Sequence, residues 1–324
     1  MIRYELVVEE LFSPVRIDRF LGDAPQIPAT RSKIQRALKE GNVLVDGKVA
    51  QASHKLSGGE RIELELDVPK DSGVAPEAES IPIDVVFEDD HLLIVNKPAG
   101  MVTHPAAGAR SGTLVNALLG RGASLSDLYG QERAGIVHRL DKNTTGLLVV
   151  AKNEESHLEL QRQLQRRDLQ RSYLALICGH LKEQQGVIDA PIGRSIRDRK
   201  KMAVTGVSSR EALTRFALRE RFKSYDLLDV QLETGRTHQI RVHFSHLGHP
   251  VFGDPDYGGR EGWHKGLFGP ERQFGLKALG SFQRQALHAG RIVLTHPVTG
   301  RRIELETEPP ADFQELLEKV RSRH

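Results

Sequence analysis

Between Gly135 and Lys152 the chain reads G-I-V-H-R-L-D-K-N-T-T-G-L-L-V-V-A-K, and the second half of that string limits the fold most. Gly146 to Ala151 is a short run of glycine, leucine, valine and alanine without a polar side chain. A run that short and apolar on both faces predicts a strand covered on both sides. Directly before it stand His138, Arg139, Asp141, Lys142, Asn143, Thr144 and Thr145. The stretch therefore delivers a carboxylate on a loop at the edge of a buried strand. A neighbouring cation favours the ionised, nucleophilic form of a carboxyl group, and Arg139 is two positions from Asp141. The plainer alternative is an Asp141–Arg139 pair that only stabilises a turn.

The chain has 324 residues, enough for two domains. Its 39% hydrophobic and 27% charged residues suit a core of ordinary size. A net charge of +3 points only weakly to an anionic partner, so the distribution of charge carries more information than its sum. Cys178 is the single cysteine, which excludes intrachain disulfides and multi-cysteine zinc sites. Acidic residues interrupt the first ten positions where a signal peptide needs an apolar segment. No apolar run approaches the ~20 residues of a membrane span. A cytoplasmic protein that does not enter a membrane is expected.

The first unit runs from residue 1 to 67. Arg16–Leu21 and Arg31–Lys39 predict two short helices, the second carrying Ile34 and Leu38 on one face and Arg31, Lys33, Arg36 and Lys39 around the rest. N-V-L-V-D-G-K-V predicts a hairpin turned at Asp46-Gly47, and Arg61–Leu66 alternates as a strand. Residues 68 to 80 are rich in proline, glycine, serine and acids and read as a linker.

From residue 81 to 324 the pattern becomes strand-rich. Strands are expected at Val85–Glu88 and Leu92–Asn96, then a helix at Thr113–Leu119. Asn153 is placed to cap a helix reaching about Arg167, with Glu154 and Glu155 in its first turn. Arg162, Arg166, Arg167 and Arg171 exceed what a helix C-terminus calls for and suggest an anion-facing edge. Tyr173–Cys178 is an apolar strand. Arg194, Arg197, Arg199, Lys200 and Lys201 crowd a basic loop between strand candidates, a pattern suited to phosphates. Strands Ala212–Leu218 and Asp226–Leu232 lead to a helix from Thr237 with Ile240, Phe244 and Leu247 facing inward. His238, His243, His246 and His249 lack a zinc-binding signature, and no metal is expected. Lys265 to Leu279 reads as a glycine-rich loop without phosphate-loop spacing. A hairpin turned at Thr299-Gly300 and a helix over Pro310–Val320 close the chain.

H-R-L-D-K-N-T-T-G-L-L-V-V-A-K resembles the catalytic motif of the pseudouridine synthases that modify large-subunit ribosomal RNA. L-L-I-V-N-K-P-A-G-M-V-T-H-P, R-x-Y-x-A-x-x-x-G at Arg171 to Gly179, and E-T-G-R-T-H-Q-I-R-V-H-F resemble its other motifs, and the first unit resembles the S4 RNA-binding module. The resemblance spans nearly the whole chain. It implies an α+β fold, a mixed but mainly antiparallel sheet preceded by a small S4-like domain. It implies isomerisation of uridines in large-subunit ribosomal RNA, free or in an assembling subunit, by a monomer without a cofactor. On this reading Asp141 is the catalytic carboxylate and Arg241 holds it ionised. Tyr173 stacks on the uracil and helps remove the C5 proton. Arg139 supports the loop and fills the space left by the extruded base. Arg236 is a lesser candidate for the place of Arg241, and the resemblance gives Lys97 and His104 no catalytic role. Two rivals stand beside it: a base glycosylase, which would pair carboxylates or bind a cation, and an assembly factor that only binds RNA.

Overall fold

A computed structural model describes residues 2–8, 14–24, 27, 29, 31–66, 75–105, 109–128, 130–260 and 262–323. The N-terminal unit holds β1 (Ile2–Val7), β2 (Val15–Arg16), α1 (Ile17–Asp23), α2 (Arg31–Glu40), β3 (Val43–Val45), β4 (Lys48–Val49), β5 (Lys55–Leu56) and β6 (Arg61–Leu66). Its antiparallel sheet runs β1-β6-β3-β4, with β2 paired to β5 alongside. Asp46 and Gly47 both have positive φ, 49° and 76°, which matches the twist of a tight two-residue hairpin. Ile17, Leu21, Ile34, Leu38, Leu56, Ile62 and Leu64 form a separate core. β1 lay outside the sequence reading.

The larger unit holds β7 (Asp84–Glu88), β8 (Leu92–Lys97), α3 (Leu114–Gly120), β9 (Thr145–Ala151), α4 (Glu154–Arg166), β10 (Gln170–Cys178), β11 (Gln185–Asp189), β12 (Ile192–Arg194) and β13 (Met202–Val204). It continues with β14 (Leu213–Arg221), β15 (Tyr225–Leu232), α5 (Gln239–His246), α6 (Gly269–Ser281), β16 (Leu287–Thr295), β17 (Arg302–Glu306) and α7 (Ala311–Arg321). Nine strands make one sheet in the order β11-β14-β15-β10-β16-β9-β8-β7, with β17 on the far half of β16. Every pair is antiparallel except β16 with β9, so the fold is α+β with a mixed, mainly antiparallel sheet.

As its composition requires, every residue of β9 is buried. Leu148 and Val150 face one apolar cluster, and Leu147 and Val149 face another on the opposite side of the sheet. Asn153 caps α4 through Ser156 N–H. Thr113 and Asn116 form a capping box on α3. Residues 68–74, the first part of the expected linker, lie outside the described residues, as does residue 67 before them. Its second part is bonded to α3, since Asn116 Nδ2 donates to the Glu77 carbonyl at 2.8 Å and Glu79 N–H donates to the Asn116 carbonyl at 3.0 Å.

Two expectations fail. Lys265 to Leu279 is not a loop: Phe268 is the N-cap of α6, with Pro270 in the first turn, where its missing N–H has no helical partner to lose. Gly275 lies inside that helix because a Cβ there would come within 2.6 Å of His264. Leu247 does not face inward; it is 42% exposed at the end of α5.

β16 comes from late in the chain and inserts between β10 and β9. His288 is in register with Thr145 of β9 on one side and Leu174 of β10 on the other. That register levels the loop before β9 with the middle of β10, where Tyr173 lies, about 10 Å away across two strand spacings. Gly146, with φ of 113°, lets β9 approach β16 closely; a Cβ there would lie 2.2 Å from the Ala289 carbonyl oxygen. Gly146→Ala is expected to destabilise the protein by ~2–4 kcal/mol, read as a lower urea midpoint. An unchanged midpoint would mean that this close approach is not needed.

Candidate active site

The loop between Leu140 and Thr144 is held at several points. Thr103 Oγ1 donates to the Leu140 carbonyl at 2.9 Å and accepts from Leu140 N–H at 3.3 Å. Thr144 N–H closes a turn on the Asp141 carbonyl at 3.0 Å. Gln285 Nε2 donates to Thr144 Oγ1 at 3.1 Å. Lys97 is buried and donates to the carbonyls of Pro98 at 2.8 Å, Met101 at 2.9 Å and Lys142 at 3.2 Å. It thereby ties the N-K-P-A-G-M segment to the residue after Asp141.

The Asp141 side chain keeps 14% of its surface exposed. Arg241, from α5, donates through Nη1 to Asp141 Oδ2 at 3.2 Å. The same guanidinium makes a two-pronged contact with buried Asp254, Nε to Oδ2 at 2.7 Å and Nη2 to Oδ1 at 2.8 Å. Nη2 also donates to Asp256 Oδ2 at 2.6 Å, and the guanidinium carbon lies 4.9 Å from the centre of the Tyr257 ring. Burial works against the Arg241 charge, but the hydrogen bond and charge of Asp254, then Asp141 and Asp256, outweigh it and raise its pKa. Asp254 Oδ1 accepts from the N–H groups of Asp256 and Tyr257 as well, which fixes the turn that presents both carboxylates.

His238 stands at the start of α5 in the left-handed region, with φ of 57°, uncommon for a residue with a Cβ. Its Nδ1 is 2.8 Å from the Tyr257 hydroxyl and its Nε2 is 3.9 Å from Asp141 Oδ1. Burial lowers its pKa, and Asp141 offsets only part of that. Tyr173 is buried, and burial raises the pKa of its phenol. Arg139, Asp141, Tyr173, Arg236, His238 and Arg241 all line one recess. The recess adjoins a cleft of about 550 Å³ that shares Arg139, Asp141 and Tyr173 and is also lined by Arg171 and Arg236.

The structure thus brings Arg139 and Asp141, Tyr173, and Arg241 together from three separated stretches. Asp141 pairs with Arg241 rather than Arg139, whose side chain is exposed. Arg236 reaches the Glu211 carbonyl, not Asp141. The basic loop is the tip of the β12–β13 hairpin, with Arg194, Arg197, Arg199 and Lys200 exposed and Lys201 half-buried. Lys201 Nζ donates to the Asp256 carbonyl at 2.7 Å, which anchors the hairpin beside the Arg241 cluster. Arg36 and Lys39 are exposed on α2, where Arg36 meets Glu40; the side chains of Arg31 and Lys33 lie outside the described residues. His243 is committed to Thr214 and the Ala190 carbonyl, and His249 to the Cys178 carbonyl. Among the described residues, no group of three or more His, Cys, Asp and Glu side chains could hold a metal ion.

Asp254, Asp256, Tyr257 and Lys97 escaped the sequence reading as site residues. D-P-D-Y reads locally as a turn, and only the contact with α5 reveals its carboxylates as partners of Arg241. A lysine ending the mostly buried strand β8 was the available signal for Lys97, because a buried ammonium needs specific acceptors.

Comparisons with known proteins give the family. The RNA pseudouridylate synthase family pattern matches residues 91–246, and the S4 domain pattern matches residues 15–62. A Bacillus subtilis protein named as an uncharacterized RNA pseudouridine synthase is 40% identical, over 99% of each chain. The ribosomal large subunit pseudouridine synthase D of Xanthomonas campestris is 42% identical over 98% of this chain and 89% of its own. Its Escherichia coli K12 namesake is 41% identical over 90% and 87%. The solved human RNA pseudouridylate synthase domain containing 4 superposes with a TM-score of 0.54 at 26% identity, covering 74% of this chain and 93% of that one. The chain belongs to the RNA pseudouridine synthase family. It is an isomerase with an N-terminal S4 domain.

Burial pushes the Lys97 pKa down to about 7, although Asp141 favours its charge. The unfolded chain binds this proton more tightly, so between pH 7 and about 10 the Lys97 contribution to stability rises with pH, by up to ~1.4 kcal/mol per unit. Lys97→Met should remove that rise. Urea midpoints at pH 6.5 and pH 9 check it, and parallel pH profiles for the two proteins would contradict it.

Proposed function

We propose that the protein converts specific uridines of large-subunit ribosomal RNA to pseudouridine, with Asp141 as the catalytic carboxylate. The observation that carries this reading is a partly exposed Asp141, fixed by a buried arginine, facing Tyr173 at the end of a cleft. The reaction breaks the N1–C1′ bond of a uridine, turns the uracil and forms a C5–C1′ bond, and the proton lost from C5 is matched by one gained at N1. Atoms balance within the nucleotide, and no oxidant or group donor takes part. A carboxylate in this position serves each available first step: attack on C1′, attack on the base, or removal of a ribose proton. Arg241 orients the carboxylate through its Nη1 contact. The Tyr173 ring offers a stacking platform for an extruded uracil. Its phenol is held protonated, which argues for stacking and against accepting the C5 proton.

Arg139 is exposed at the cleft and suits contact with the RNA around the extruded base. Arg194, Arg197, Arg199, Lys200 and Lys201 on the hairpin, and Arg31, Lys33, Arg36 and Lys39 on α2, supply phosphate contacts to flanking RNA. We assign residues 1–67 to RNA binding, 68–80 to the connection and 81–324 to catalysis, a division supported by the separate N-terminal core. The protein acts as a monomer in the cytoplasm, where ribosomes are made. Among the described residues, no helix is long and apolar enough to cross a membrane.

Pseudouridine mapping of unmodified ribosomal RNA and of assembled large subunits tests both parts. Wild-type protein should add pseudouridine at defined large-subunit positions. Asp141→Asn should add none, with a rate at least ~10³-fold lower while RNA affinity is retained. Modification confined to transfer RNA would overturn the substrate assignment, and modification by Asp141→Asn at the wild-type rate would overturn the role of Asp141.

A further inference from the structure

Arg171 is a buried charged group in the cleft to which the catalytic reading gives no work. It precedes Tyr173 by two residues on β10, so both side chains lie on the same face of the sheet. Its relative exposure is 7%, and its Nε–H is buried with no hydrogen-bond partner. Among the described residues, it has no ion pair. An unpaired buried cation costs several kcal/mol, so a fold that keeps one usually has a ligand for it.

The surroundings are shaped for that guanidinium. Gly235, also in the cleft wall, leaves its space free, since a Cβ there would lie 3.0 Å from Arg171 Nη1. His138 accepts from Val149 N–H through Nε2, which leaves its proton on Nδ1. That Nδ1 is a second buried donor without a partner, and His138 lines the same cleft. Burial, then the nearby Arg171 charge, pushes the His138 pKa down to about 3, so the imidazole is neutral. The other carboxylates of the wall are taken: Glu233 by Arg215 and Arg167, and Glu211 by Arg167. Asp141 is taken by Arg241.

We propose that Arg171 binds a backbone phosphate of the RNA strand next to the nucleotide that faces Tyr173 and Asp141. Two strand positions separate Arg171 from Tyr173, about 6.6 Å along β10. That spacing suits a phosphodiester joined to a base stacked on the ring. The anion supplies the missing countercharge, and Arg171 fixes the strand so that one sugar is presented to Asp141. The inference rests on the uridine reading of the cleft, but Arg171 binds phosphate whichever group performs the chemistry.

The test uses oligouridylate as the probe and Asp141→Asn protein throughout, so that turnover does not enter. Arg171→Met is compared with the unaltered Arg171 protein over a range of salt concentrations. The variant should bind about tenfold more weakly at low salt, and the slope of log affinity against log salt should fall by ~0.7, the value for one single-strand phosphate. Its thermal midpoint should stay equal or rise, because an unpaired buried charge has gone. Arg171→Lys should recover most of the slope. An unchanged slope, with or without loss of thermal stability, would overturn the proposal and make Arg171 a structural residue. Pseudouridine mapping reads Asp141 separately, so either claim can fail alone.

Discussion

One guanidinium organises the catalytic end of this molecule. Arg241 is nearly out of water, with 4% of its side chain exposed, and such a charge is tolerable only with well-aligned counter-ions. Buried Asp254 supplies the two-pronged contact, Asp256 a second, and the remaining Nη1 is left to point at Asp141. Asp254 and Asp256 therefore hold the arginine in place independently of Asp141. A structural carboxylate holds the arginine, and the arginine holds the carboxylate proposed to do the chemistry.

The backbone around Asp141 depends on a second set of contacts made on the opposite side of the loop. Thr103, Lys97 and Gln285 grip Leu140, Lys142 and Thr144, so Asp141 is presented by a fixed turn rather than a swinging one. Arg284 adds a further contact to the Asn143 carbonyl while pairing with Asp312 at the start of α7. The C-terminal helix thus supports the loop from a distance. Sheet order does the rest, because β16 between β9 and β10 sets the separation of Asp141 and Tyr173.

Features set by neighbouring residues were legible in the sequence. The apolar run of β9, the Asp46-Gly47 turn and the Asn153 cap each need only a few adjacent side chains to declare themselves. Asp141, Tyr173 and Arg241 were legible through motif resemblance, whereas their meeting depends on strand order that no local pattern encodes. Asp254 and Asp256 carry no local signal of their role because their partner lies on another element. The glycines of α6 imitated a loop, and the reason for Gly275, the His264 ring beside it, is distant in the fold. Arg171 was visible as surplus basic charge after α4, but its isolation from carboxylates is a property of the folded cleft.

If Asp141 does the chemistry as proposed, Asp254 bears on it through its hold on Arg241. Single-turnover pseudouridine formation by Asp254→Asn, with RNA affinity measured alongside, tests it most directly. Weakening a buried, charge-assisted pair should slow the chemical step by ~10–100-fold and leave RNA affinity within about threefold of wild type. A wild-type rate for a folded Asp254→Asn protein would contradict the account.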